Sequence, residues 1–398
     1  MYLSERVTVL TPSVTLGISA KAKQMRKEGR DIINFSAGEP DFNTPLQAKE
    51  AAIRAIDENY TRYTPVAGSR ELIEAIIRKF RHDNNLDYSP SQIIVANGAK
   101  QVIFNALQAV CNPGDEVILP SPYWVSYPEQ IKLAGATPVY IHLEFEEGLK
   151  INQEELRKAI KPGKTKAIIL NTPHNPTGGM FAREELEKIA EVVEDLPLLV
   201  ISDEIYEEFV YESSHVSFAS LGEKLYQKTI TVNGVSKTYG MTGWRVGYAG
   251  GPESIIQAMI KIQSHSTSCA SSVSQRAAFG ALSLEKEEVR ILIEEFFYRK
   301  KLVEQGLKGI EGIRVNRLQG AFYAFPDFSY FLGTYSGRRK IESSVDLADY
   351  LLEEAGVAVV PGSAFGAEGY LRISYAVSKE EIKRGLERIR EALSNLKR

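Results

Sequence analysis

The sequence predicts an α/β protein with a large unit on a mostly parallel sheet and a smaller α+β unit after it. Three observations lead there. Short apolar runs rich in β-branched residues recur at 93–96, 117–119, 167–170, 198–201, 230–232 and 246–249, bounded by turn residues or charges. Most are separated by stretches of helical period such as 183–194, and fully buried parallel strands with helical crossovers produce that alternation. Later the pattern changes. A long helix candidate from Glu285 to about Leu307 carries Ile291, Phe296, Leu302 and Val303 among charges. After it come an apolar stretch at 321–326, a helix around 345–354, a strand at 371–375 and a closing helix from Ser378, as in a layered α+β unit. The expected division is 1–45 as an N-terminal arm and part of the small domain, 46–285 as the large domain and 286–398 as the small one. Ligands of open α/β sheets bind at the carboxyl ends of the strands, so chemistry is sought there.

The chain's 398 residues exceed the roughly 100–200 of one typical domain, hence the two units. With 43% apolar and 25% charged residues it is too apolar for disorder. A net charge of −3, from 48 basic and 51 acidic side chains, gives no reason to expect nucleic acid or an anionic membrane as partner. A bound anion must therefore be held by a few placed cations. Two cysteines, Cys111 and Cys269, are read as free buried thiols and rule out a disulfide framework. Five histidines without HxxxH or HxH spacing point away from a metal site. Glu5, Arg6 and Pro12 interrupt the N-terminus, which lacks a signal-peptide core. No run approaches the ~18 uncharged apolar residues of a membrane span, so a cytoplasmic protein is expected.

The most informative segment runs Gly234-Val235-Ser236-Lys237-Thr238-Tyr239-Gly240-Met241-Thr242-Gly243-Trp244-Arg245-Val246-Gly247. It places a lysine just past a strand, a serine before it and an arginine eight residues on, among four glycines. Glycines let a backbone approach a ligand closely, and arginine offers a planar fork that matches phosphate. A lysine beside such an anion site can form an imine with an aldehyde cofactor once its pKa is lowered.

This stretch resembles the lysine signature of the class I/II, fold-type I aminotransferases. Other motifs of that family follow in order: Gly38-Glu39-Pro40-Asp41-Phe42, Tyr63 before Thr64-Pro65 and Gly68, and Asn97-Gly98-Ala99-Lys100-Gln101. Then come Tyr123-Trp124-Val125-Ser126-Tyr127, Asn175-Pro176-Thr177-Gly178, Ser202-Asp203-Glu204-Ile205-Tyr206, Gly320-Ala321-Phe322-Tyr323 and Leu371-Arg372-Ile373-Ser374-Tyr375. Together they look most like the bacterial and thermophile-type branch of the aspartate aminotransferases. The resemblance implies the PLP-dependent transferase fold of type I, with pyridoxal 5'-phosphate held as a Schiff base on Lys237.

Asp203 ends the apolar run 198–201, where a buried charge is costly unless paired. The resemblance makes it the acid that keeps the pyridine nitrogen protonated. Tyr206 and Asn175 become donors to the cofactor's phenolate oxygen, and His174 stands where the family usually has asparagine. Backbone N–H groups at the start of a helix after Gly98, on Ala99 and Lys100, suit an anion. Ser236 and Arg245 add a hydroxyl and a charged fork, and Tyr63 is expected to reach the same phosphate from a neighbouring subunit of a homodimer. Trp124 is expected to stack on the ring. Arg372 lies on the inner face of an alternating run and needs an anion, for which the substrate α-carboxylate is the obvious choice. Gly38 would admit that carboxylate, whereas Phe322 and Tyr323 are expected to pack. Lys237 is also expected to move the proton during transfer. Lys100, helped by Ser13 and Thr15, is associated by resemblance with the distal carboxylate of aspartate or glutamate. The expected reaction passes an amino group between these and 2-oxoglutarate or oxaloacetate. Aromatic, prephenate or alanine aminotransferases and a PLP β-lyase share the cofactor set and stay open as alternatives.

Overall fold

The computed structural model describes residues 2–398. Its main sheet has eight strands: β1 (Ile93–Ala96), β2 (Glu116–Ser121), β3 (Thr137–Glu144), β4 (Lys150–Ile151), β5 (Thr165–Asn171), β6 (Leu199–Asp203), β7 (Thr229–Gly234) and β8 (Gly247–Gly250). Their order across the sheet is β1-β8-β7-β6-β5-β2-β3-β4. The five strands from β7 to β3 in that order are mutually parallel, β8 is antiparallel to both neighbours, and β4 is antiparallel at the far edge.

All six apolar runs are strands because the sheet is covered on both faces. Ile168 and Leu170 of β5 pack with Leu186 and Ile189 of the helix Arg183–Val193. Their neighbours Ala167 and Ile169 pack with Val102 and Ile103 of the helix Ala99–Val110. Neither face is wet, so no polar alternation interrupts the run, and each large side chain contributes roughly 1.5–3 kcal/mol.

Two features depart from expectation. The run at 246–249 is not a parallel strand: β8 reverses direction because the loop 235–246 contains only a single 3-10 turn, Thr242–Trp244, where a parallel return needs a long crossover. The lysine segment is therefore a hairpin-like connection over the carboxyl end of β7. β3 had no apolar run to announce it. Ile141 and Leu143 are buried while Tyr140, His142 and Glu144 are exposed, the pattern of a strand near a sheet edge.

The C-terminal part is built on the helix Lys286–Lys308, whose inner stripe is Val289, Ile293, Phe296, Val303 and Leu307. Ile291 falls off that stripe and is exposed. A three-stranded antiparallel sheet has Leu371–Ser374 between Tyr323–Ala324 and Val360–Pro361. The helices Ser344–Glu354 and Lys379–Ser394 complete this part, each opened by a serine capping box. Early residues join it: Ile33–Asn34 pairs in parallel with Val357–Ala358, and the Phe35 carbonyl accepts from Ser374 N–H. Among the described residues no helix is long and apolar enough to cross a membrane.

Candidate active site

A cavity of about 420 Å³ lies at the carboxyl ends of the parallel strands, where the C-terminal part meets the main sheet. Asp203 is the last residue of β6, Asn175 lies in the loop after β5, and Ser236 and Lys237 follow β7 directly. Ala99 and Lys100 open the helix after β1, while Arg372 arrives from the three-stranded sheet and Gly38 from the early segment.

The Lys237 amine donates to the Gly38 carbonyl across 2.6 Å. Enclosure pushes its pKa down to about 8, against the opposing pull of the Glu39 carboxylate. Asp203 is 4% exposed, and burial pushes its carboxyl up to about 6. Two donors work against that rise: Tyr127 O–H to Oδ2 at 2.6 Å and Ile205 N–H to Oδ1 at 3.3 Å. The site thus pairs an easily freed amine with a buried acid suited to a cationic partner.

Arg372 is buried between the rings of Tyr323 and Phe365, 4.6 and 5.1 Å from their centroids. Its Nη1 donates to Asn175 Oδ1 at 3.0 Å and Nη2 to the Ser36 carbonyl at 2.8 Å, while Nε is buried without a protein partner among the described residues. The guanidinium fixes the Asn175 amide with its oxygen toward Arg372, which frees the amide N–H₂ as a donor on the cavity side. Tyr206 shares a hydrogen bond of 2.8 Å with the Tyr323 hydroxyl, and the Lys237 amine sits 5.9 Å from its ring centroid.

The end of the cavity at the start of the helix Ala99–Val110 is shaped by missing side chains. A Cβ on Gly98 would lie 2.3 Å from Arg245 Nη2, and one on Gly247 would lie 2.1 Å from the Ala99 nitrogen. Only glycines allow the guanidinium to rest against this helix N-terminus, with Arg245 donating to the Thr242 and Asn97 carbonyls at 2.8 and 3.2 Å. Lys100 holds its amine 4.9 Å from the Trp124 ring centroid, and its pKa is lowered by burial and by Arg245.

Of the residues expected from the sequence, Gly38, Ala99, Lys100, Trp124, Asn175, Asp203, Tyr206, Ser236, Lys237, Arg245 and Arg372 all line this cavity, as do Ser13 and Thr15. Two do not. Gly98 acts through the space it leaves, and Tyr63 stands 91% exposed outside the cavity. His174 is buried behind the wall, its Nδ1 2.8 Å from Thr177 Oγ1, and burial depresses its pKa to about 3, so the ring is neutral. Tyr323 was expected only to pack, yet it brings a hydroxyl to the cavity. Tyr127, Asn171, Glu39 and Thr242 also line it without having been singled out. Asn171 ties the floor together, donating to the Asp203 carbonyl and accepting from Asn175 N–H, each at 2.9 Å.

A second polar cluster lies beyond Asp203. Glu204, Glu207 and His215 bring potential ligand atoms within 4.8 Å of one another. Those atoms are already engaged: Lys79, Asn84 and Asn233 hold Glu207, while Ser202, Ser217 and His215 hold Glu204. The carboxylates are thus held by protein donors at the end of β6, while His215 Nδ1 is buried without a partner among the described residues.

This arrangement coincides with a family pattern: residues 30–389 match the model for aminotransferase class I and II. The chain belongs to the class I and II aminotransferases. It is 48% identical over 389 residues to an aspartate aminotransferase of Bacillus sp. (strain YM-2), spanning 97% of this chain and 98% of that one. It is 45% identical over 397 residues to a probable aspartate/prephenate aminotransferase of Aquifex aeolicus, with 99% of each chain covered. The crystal structure of the aspartate aminotransferase from Rhizobium meliloti superposes with a TM-score of 0.95 at 42% identity, covering 100% of both chains. As a class I and II aminotransferase, the chain has the fold-type I architecture and depends on pyridoxal phosphate.

Proposed function

We infer that this enzyme transfers amino groups between aspartate or glutamate and the matching 2-oxo acids, 2-oxoglutarate and oxaloacetate. The observation that carries the reading is the meeting of three groups in one cavity: the Lys237 amine, the buried Asp203 carboxyl and the Arg372 guanidinium.

The side chains suit the cofactor. Asp203 is a buried acid fit to face a protonated ring nitrogen, Arg245 and the helix start at Ala99 and Lys100 suit a phosphate, and Lys237 is an amine of lowered pKa. Pyridoxal phosphate, when bound, supplies an aldehyde carbon and a cationic ring that accepts electrons. The chain does the rest. Asp203 would keep the proton on the ring nitrogen, with the Tyr127 hydroxyl steadying the carboxylate charge. Tyr206 and Asn175 would serve as donors to the cofactor's phenolic oxygen, Ser236 and Arg245 would hold its phosphate, and Trp124 would bound its ring. Arg372 takes the α-carboxylate, with Gly38 leaving it room. The Lys237 amine would move the proton from the substrate carbon.

Lys100, with Ser13 and Thr15, takes the distal carboxylate. A lysine is a flexible point charge, so a bulkier dicarboxylate can also be accommodated, and the aspartate/prephenate relative favours prephenate as a second substrate. The division into an arm at 1–45, a large domain at 46–285 and a small domain at 286–398 is part of this proposal. So are a cytoplasmic location and a homodimer in which the exposed Tyr63 serves the neighbouring site.

The test is spectroscopic. Single amino acids are added in turn to the purified, cofactor-loaded protein. Aspartate and glutamate should bleach the visible band, and 2-oxoglutarate should restore it. A protein whose band responds to no amino acid sinks the proposal.

A further inference from the structure

Tyr323 has a position that simple packing does not require. Its strand pairs antiparallel with Leu371–Ser374 so that Tyr323 faces Ser374. Arg372 lies two residues from Ser374 on the same side, making Tyr323 and Arg372 diagonal neighbours. That register lays the Tyr323 ring against the Arg372 guanidinium. A slip of one residue would put Phe322 there, a ring without a hydroxyl.

The hydroxyl end is equally defined. Tyr323 is 0% exposed, and a buried hydroxyl needs a partner. It has one, the Tyr206 hydroxyl at 2.8 Å. Two glycines of separate motifs make room. A Cβ on Gly38 would lie 2.8 Å from the Tyr323 hydroxyl oxygen, and one on Gly178 would lie 2.2 Å from the Tyr323 carbonyl oxygen. Gly178 has φ +68, and its carbonyl accepts from Gln319 and Gly320 N–H at 2.8 and 2.9 Å, which anchors the approach to this strand.

We propose that Tyr323 is a positioning residue that acts through Tyr206, its hydroxyl donating to the Tyr206 oxygen while its ring holds Arg372 in place. The direction of that bond follows from proton counting and rests on the function proposed above. Tyr206 has one hydroxyl proton, and donating it to the cofactor leaves only lone pairs for Tyr323. Tyr323 must then donate, and a donor that accepts a hydrogen bond becomes a stronger donor. One side chain thereby links the group facing the cofactor oxygen to the cation that binds the substrate carboxylate.

Tyr323→Phe keeps the ring and removes only the hydroxyl. The readout is the pH midpoint of the bound cofactor's visible absorption, measured without substrate, beside the steady-state constants. The midpoint should rise by on the order of half a pH unit, since the cofactor's phenolic oxygen loses stabilisation. KM for aspartate should change less than about twofold, because the ring remains against Arg372. In a Tyr206→Phe background the same substitution should leave the midpoint unmoved. Tyr323→Leu, which removes the ring as well, should raise KM for every amino acid tested. An unchanged midpoint in Tyr323→Phe overturns the proposal, as does a shift of equal size in the Tyr206→Phe background. Wild-type protein without a cofactor band would instead sink the proposed function, and this inference with it.

Discussion

The Tyr127 hydroxyl donates to Oδ2 of Asp203 across 2.6 Å, and Asp203 has few other donors with which to carry a buried charge. Burial raises the carboxyl from 3.8 to about 6 in the folded chain without cofactor. The folded state therefore holds this proton more tightly than the unfolded state does. As pH rises through that interval the group costs stability, on the order of 3 kcal/mol once both states are ionised. Cofactor-free Asp203→Asn should lack this loss. Chemical denaturation at several pH values, wild type against variant, measures it, and a difference that does not change between pH 4 and pH 6 counts against the assignment.

Lys237, lowered to about 8, reacts only as the free amine. Uptake of pyridoxal phosphate by the cofactor-free protein should accelerate as pH climbs through that value, seen by stopped-flow absorbance. Lys237→Ala should still bind the cofactor but lose ~10²–10⁴-fold in turnover. Borohydride should no longer fix the cofactor to the polypeptide, which intact-mass measurement detects. Near-normal turnover in the variant would refute the role.

Lys100→Ala should raise KM for aspartate by roughly 10- to 100-fold, the worth of one hydrogen bond to a charged group. KM for alanine, which has no second carboxylate, should move little. Equal effects on the two substrates would show that Lys100 does not read the distal carboxylate.

Gly98→Ala places a methyl where Arg245 Nη2 now rests, at a backbone φ of +91 that suits glycine. Displacing the guanidinium should weaken cofactor affinity at least tenfold, about 1.4 kcal/mol. Fluorescence titration with pyridoxal phosphate provides the check. Unchanged affinity would mean that Arg245 does not hold the phosphate.

The residues legible in advance were those whose chemistry is conspicuous out of place: a lysine after a strand, an acid ending an apolar run, an arginine inside an alternating one. Each leaves a mark because charge in an apolar context demands a partner. Tyr127, Asn171 and Tyr323 leave no such mark. A tyrosine within or an asparagine beside an apolar run reads equally as packing or turn, and only the fold shows where its polar end points. The same holds for strands. β1 was visible as an apolar run, whereas β3 alternates near an edge, and the reversal of β8 came from a short connection that apolar patterning does not report.

The pairing of Ile33–Asn34 with Val357–Ala358, and the bond from Arg372 to the Ser36 carbonyl, join opposite ends of the polypeptide. During synthesis, the segment carrying Gly38 emerges from the ribosome long before the strand that completes its sheet. The wall formed by Gly38, Ser36 and Arg372 therefore cannot assemble until residue 372 has been synthesised. A chain that stops before residue 357 carries Asp203 and Lys237 yet lacks both Arg372 and the strand that pairs with 33–34, so its cavity is incomplete.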